Sequence, residues 1–235
     1  MPLHGRHAHF RLPLNWWIGV LFALGASLFA LGGILVLFPT LAQRWGLDET
    51  AVNAVFFAGS IPFTTAAYLQ LFQAANSPAS AGAVQAASTW FGWRPTDLDW
   101  LACAMQFAGT LLFNFNTFDA LAANLDWLQQ DLLVWTPDMV GSGLFLASGY
   151  LAFAETSRAG SWWLPGRTAW WMAAVNLLGC VAFMIAAVLA FVPVAASVAA
   201  WMAVSTWFTV IGAIAFGVGA LLLLPGHTVA GAKSC

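Results

Sequence analysis

The chain has 235 residues, of which 61% are hydrophobic and 7% charged, against about 25% charged in ordinary globular proteins. Seven Lys plus Arg and three Cys supply neither the basic face of a nucleic-acid binder nor the thiols of a disulfide scaffold, and the apolar content excludes a disordered chain. A chain this poor in charge cannot build a water-facing surface, so a membrane-embedded protein is expected.

A helix needs about 20 mostly apolar residues to cross the hydrocarbon. After an N-terminal tail (1–14), the first hairpin (15–75) holds spans 15–38 and 51–75. A linker (76–97) rich in Ser, Ala and Gly closes on Trp90-Phe-Gly-Trp93-Arg94-Pro95 and leads to the second hairpin (98–156), with spans 98–121 and 137–156. A loop (157–167) precedes the third hairpin (168–224), with spans 168–192 and 198–224, and a tail (225–235) follows. The first apolar run exceeds 20 residues and five more spans follow, so it reads as a retained span rather than a cleaved signal. Pro39 and Pro193 follow spans one and five, Thr96 with Asp99 has capping-box spacing, and Thr136-Pro137-Asp138 reads as N-cap, N1 and N2 of span four. Before that span, Leu125, Leu128, Leu132 and Trp135 recur at helical spacing among Asp126, Gln129 and Asp131, as in a short amphipathic helix on the membrane surface or a lid over the bundle mouth. The expected fold is all-α, a polytopic transmembrane bundle of six helices built as three hairpins.

Charge sets the expected orientation. Arg6, Arg11, Arg94, Arg158, Arg167 and Lys233 fall on the side of the termini and only Arg44 on the other, which instead carries Asp48, Glu49, Asp119, Asp126, Asp131 and Asp138. The positive-inside rule then makes both termini cytoplasmic, as expected of a multi-pass inner (cytoplasmic) membrane protein. Thirteen of the 14 Trp lie at span ends or in loops, as an interfacial belt would. Trp207, inside the last span, is the exception and a candidate ligand contact.

The odd spans align without gaps as Trp16-x8-Gly25-x3-Phe29, Trp100-x8-Gly109-x3-Phe113 and Trp170-x8-Gly179-x3-Phe183. The even spans carry Gly59-x3-Phe63, Gly141-x3-Phe145 and Gly212-x3-Phe216. Composition predicts about two Gly-x3-Phe pairs and the chain has seven, so a threefold hairpin repeat is expected. Residues four apart share a helix face, where Gly admits a neighbouring backbone and Phe fills the space beside it.

The segments Trp16-Trp17-Ile-Gly-Val-Leu-Phe-Ala-Leu-Gly25-Ala-Ser-Leu-Phe29 and Val55-Phe-Phe-Ala-Gly59-Ser-Ile-Pro-Phe63-Thr-Thr-Ala-Ala-Tyr68 resemble the paired helices of YrhK-like bacterial membrane proteins. The resemblance implies a bacterial membrane protein and brings no catalytic residue, the family being of uncharacterised function. A weaker architectural likeness is to six-helix acid-resistance membrane proteins of the HdeD type.

Ionisable residues inside a bilayer flag function by default, and this chain has almost none there. Asp119 is near one boundary, and Glu155 is near the other, three residues before Arg158, at ion-pair spacing. No His or Lys lies in a span, which leaves no ligand for a bilayer haem and no lysine for a Schiff base. No zincin, P-loop or nucleophile-elbow motif is present, and no catalytic residue, metal site or cofactor is expected. The tail histidines His4, His7 and His9 read as a flexible basic segment, with weak metal binding as the rival reading. Cys103 and Cys180 differ in depth by about 10 Å, too far for a disulfide, and Cys235 has no prenylation box.

The remaining signal is neutral. On span three Cys103, Gln106, Thr110, Asn114 and Thr117 line one face; Gln106 is repeat-equivalent to Asn176 and Thr110 to Cys180. On span two Asn53, Ser60, Thr64 and Tyr68 share a side, with Pro62 freeing a carbonyl one turn earlier. Two readings follow, a hydrogen-bonding path or pocket for a neutral or amphipathic small molecule, and interhelical bonds that hold helices together. The function expected is therefore non-enzymatic handling of such a molecule, by passage or sensing. The alternative is a structural or accessory membrane subunit that docks a partner, a second copy or another membrane protein, or organises lipid.

Overall fold

The structure is a computed structural model that describes residues 14–77, 88–122, 124–157, 163–191 and 198–224. In apolar surroundings a backbone must satisfy its own polar groups, which favours long helices. The helices are α1 (Leu14–Leu37), α2 (Pro39–Arg44), α3 (Glu49–Ala75), α4 (Leu98–Asp119), α5 (Trp127–Gln129), α6 (Thr136–Ser157), α7 (Thr168–Ala190) and α8 (Val198–Leu223). No strand occurs among the described residues. The six long helices lie within two residues of the expected spans at every end.

Four helices, α1, α3, α7 and α8, are long and apolar enough to cross a membrane, which points to a membrane-embedded protein. At 22 residues each, α4 and α6 also have the length, about 33 Å. They are the more polar pair, α4 through Gln106, Asn114 and Asn116 and α6 through Asp138, Ser142, Ser148 and Glu155.

Several helix ends differ from expectation. The N-cap of α4 is Asp97, not Thr96; its carboxylate accepts from the amides of Asp99 and Trp100. Thr136 is not an N-cap either, because the helix has already begun. Asp126 and Gln129 form a reciprocal capping box, and a π-helical stretch, Gln130–Trp135, runs from α5 into α6. Pro137 has no N–H to give and its ring crowds the carbonyl one turn back, so the wider i→i+5 turn relieves the start of α6. Thr136 donates both its amide and its hydroxyl to the Asp131 carbonyl. The amphipathic segment is thus an extension of α6 rather than a separate surface helix. Trp135 pins it to α7 by donating to the Ala187 carbonyl at 2.9 Å. Arg6, Arg11, Arg158, Trp162, Pro193, Lys233, His4, His7, His9, His227 and Cys235 lie outside the described residues, as does 78–87 of the linker.

The long helices close a ring. α1 packs on α3, α3 on α4, α4 on α6, α6 on α7, α7 on α8, and α8 returns to α1. Gly-to-Gly crossings hold three of these pairs. A Cβ on Gly25 would stand 2.8 Å from the Gly59 carbonyl oxygen, one on Gly109 3.0 Å from that of Gly141, and one on Gly212 3.2 Å from that of Gly179. Backbones this close admit no side chain between them.

Candidate functional site

Each long helix sends one phenylalanine to the ring's axis. Phe29, Phe113 and Phe183, from α1, α4 and α7, have centroids 5.6–6.5 Å apart. Phe63, Phe145 and Phe216, from α3, α6 and α8, form a second triangle at 5.4–6.2 Å. Links of 6.2, 4.9 and 5.5 Å join the triangles within each glycine-crossed pair. All six rings are buried, so the axis is plugged by apolar surface.

On one side of this plug lies a cavity of about 520 Å³ that all six long helices line. It is at the end of the ring holding the N-termini of α1, α4 and α7, with Ser77, Asp97, Asp99 and Leu223 at its mouth and Phe22 and Phe216 at its floor. Three residues six positions beyond Trp16, Trp100 and Trp170, namely Phe22, Gln106 and Asn176, all reach it. Small residues, among them Ala102, Ala152, Ala173, Gly219 and Ala220, leave the middle open. The carboxamides of Gln70, Gln106 and Asn176 have no hydrogen-bond partner among the described residues, so their capacity faces the cavity.

The polar stripe of α4 therefore divides. Cys103 and Gln106 line the cavity. Thr110, Asn114 and Thr117 turn to α3. The Thr64 hydroxyl lies 3.2 Å from the Thr110 carbonyl and 3.1 Å from Asn114 Oδ1, donating to one of them. The hydroxyls of Ser60 and Thr117 are 3.3 Å apart, and each also donates to a carbonyl of its own helix. Beside them lies a void of about 10 Å³ among Ser60, Thr64, Thr110 and the plug, about the room for one water.

Two other candidates sit elsewhere. Tyr68 packs on Phe91 and Phe107 and donates to the Trp90 carbonyl. Trp207 is on the outer surface of α8, about half exposed and edge-on to Phe38, away from both cavities. Cys180 is buried against Gly149 and, like Cys103, is a free thiol. Trp100 and Trp170 also depart from the interfacial belt, being buried beneath Trp93 and Trp163 with centroids 5.4 and 5.0 Å apart.

Sequence reasoning missed Gln70 and Gln73 as cavity residues, although two glutamines three apart near the end of an apolar span were visible. Gln73 donates to Asn15 Oδ1 at 2.8 Å, tying α3 to α1. It also missed three buried serines that bond across the ring. Ser148 donates to the Ala102 carbonyl, Ser142 to that of Phe183 and Ser205 to that of Ala186. A lone serine on an apolar helix face was their only signal. No group of three or more His, Cys, Asp or Glu placed to hold a metal occurs among the described residues. No protein-family model, no curated protein and no solved structure matches the chain, so the fold and the cavity stand on their own geometry.

Proposed function

We propose that the chain is a six-span inner-membrane protein, N-in and C-in, that receives a small uncharged molecule from the cytoplasmic side in the axial cavity. The observation that carries this reading is a cavity of about 520 Å³ lined by three carboxamides, Gln70, Gln106 and Asn176, that have no hydrogen-bond partner among the described residues. Binding sites for small molecules have this size and this sparse, convergent polarity. The plug favours capture or sensing over free passage, since the polar residues beyond it are bonded to one another. The three glycine crossings and the prism of phenylalanines support a threefold hairpin repeat. The surplus of cations at the cavity end supports its facing the cytoplasm.

The test is sided labelling of Cys103 in a Cys235→Ser background, resolved by peptide mass spectrometry. A membrane-impermeant maleimide is expected to modify Cys103 in inside-out vesicles and not in right-side-out ones. Protection in both would overturn the reading. One observation favours the rival, an accessory subunit docked on a membrane partner. Trp127 and Leu132, at the opposite end of the ring, are 67% and 58% exposed. A stoichiometric partner lost on Trp127→Ser and Leu132→Ser, with Cys103 protected, would favour it.

A further inference from the structure

The depth profile of the cavity narrows its occupant. Counting inward along α4, Asp99 stands at the mouth, Cys103 one turn in, and Gln106 at the floor beside Phe216, so mouth and floor are about 10 Å apart. Counting along α7, Ala169 is at the mouth, Met172 and Ala173 follow, and Asn176 is at the floor. Gln70 lines the space from α3, eleven positions past Gly59 as Leu223 is past Gly212, and so stands nearer the mouth than Gln106 and Asn176. From outside inward the lining is thus acidic, then small and apolar, then carboxamide.

We propose that the cavity binds an amphipath whose uncharged, hydrogen-bonding head enters first, with a short apolar stem in the waist. The inference rests on the reading of the cavity as a ligand site. A carboxamide is donor and acceptor at once, so Gln106 and Asn176 at the floor match a head that is also both, such as an amide or an alcohol. A carboxylate head would bring a charge to a floor with no cation, and an ammonium head one to a floor with no anion; either loses hydration without an opposite charge to replace it. Among the described residues no Lys, Arg or His lines the space, and Arg94, on the loop before α4, is held by the Ser77 carbonyl at 2.9 Å. The waist matches an alkyl stem, because Ala102, Ala152, Ala173, Gly219 and Ala220 leave width there and the Ser148 hydroxyl is already given to the Ala102 carbonyl.

The cavity carries its own reporter, since Cys103 lies in the waist and a stem seated on the floor amides covers its thiol. The experiment follows alkylation of Cys103 by N-ethylmaleimide in full-length Cys235→Ser protein in nanodiscs, with hexanamide, hexanoate or hexylamine as probe. Hexanamide is expected to slow alkylation, and hexanoate and hexylamine to need about tenfold higher concentration for the same protection, the equivalent of one unpaired polar group. The Gln106→Leu, Asn176→Leu double variant is expected to lose the protection while alkylating at the unprotected rate. Hexanoate or hexylamine protecting as well as hexanamide, hexanamide giving no protection, or protection surviving the double variant would each overturn the assignment while leaving the cavity intact. A thiol that never reacts would remove the cavity reading and this inference together.

Discussion

The two halves of the ring are made from the same helices, yet one is hollow and the other filled. Towards the cavity end, α4 presents Cys103 and Gln106 to a space bordered by alanines and glycines. Past the plug, the same stripe presents Thr110, Asn114 and Thr117 to Ser60 and Thr64, and the side-chain oxygen of each lies within hydrogen-bond distance of a partner. The difference lies in what stands opposite. A polar side chain becomes part of a binding surface where its neighbours are small and apolar, and part of the packing where they are themselves polar and near.

Six substitutions test that contrast. The largest effect is expected in the plug, where Phe113 touches Phe29, Phe145 and Phe183. Unfolded helices remain in lipid, so the transfer term largely drops out and Phe113→Ala should cost about 3 kcal/mol, the low end for such a truncation. Reversible unfolding in mixed micelles measures it, and a cost near that of a surface site would mean that the plug is not the packed half. Second, Gly141→Ala and Gly143→Ala differ by two positions on α6. A Cβ at Gly141 meets the Gly109 carbonyl oxygen at 3.2 Å, while one at Gly143 meets nothing within 4 Å. Gly141→Ala is expected to lose about 1–3 kcal/mol and Gly143→Ala to gain up to about 1 kcal/mol from helix propensity. Equal effects would argue against the close crossing.

Smaller effects separate bonded from cavity-facing polarity. Thr64→Val removes a bond across α3 and α4 and should cost about 0.6 kcal/mol, the membrane average. Gln106→Leu breaks no bond and should leave the melting temperature unchanged or raised; a clear drop would place Gln106 among the packing residues. At the bottom of the scale, Trp207→Leu, on the outer face, is expected to stay within about 0.5 kcal/mol of wild type by the same unfolding assay.

Much of the fold was legible beforehand. Apolar runs near 20 residues and the scarcity of charge located six long helices to within two residues, because a bilayer-length helix leaves an unmistakable composition. The Gly-x3-Phe spacing identified the crossing faces, and Gln106 and Asn176 were paired through the repeat before both were found at the cavity floor. Helix starts were read less well. Thr96 was taken for the cap that Asp97 supplies, since two capping residues in succession look alike in sequence. Thr136-Pro137 reads as a helix start, but upstream residues extended the helix through a π-helical stretch. Trp207 was singled out by its depth, and depth does not say whether a side chain points inward or out.

The amino-acid sequence by itself determined the solvent, the helices and the face on which each packs, because these depend on one helix and its surroundings at a time. Only the tertiary structure decided that six phenylalanines meet on one axis, that Gln70 joins Gln106 and Asn176, and that the α4 stripe is half pocket and half seam. Helical periodicity reports which residues share a side, but whether that side meets a void or a partner depends on side-chain volumes contributed by five other helices.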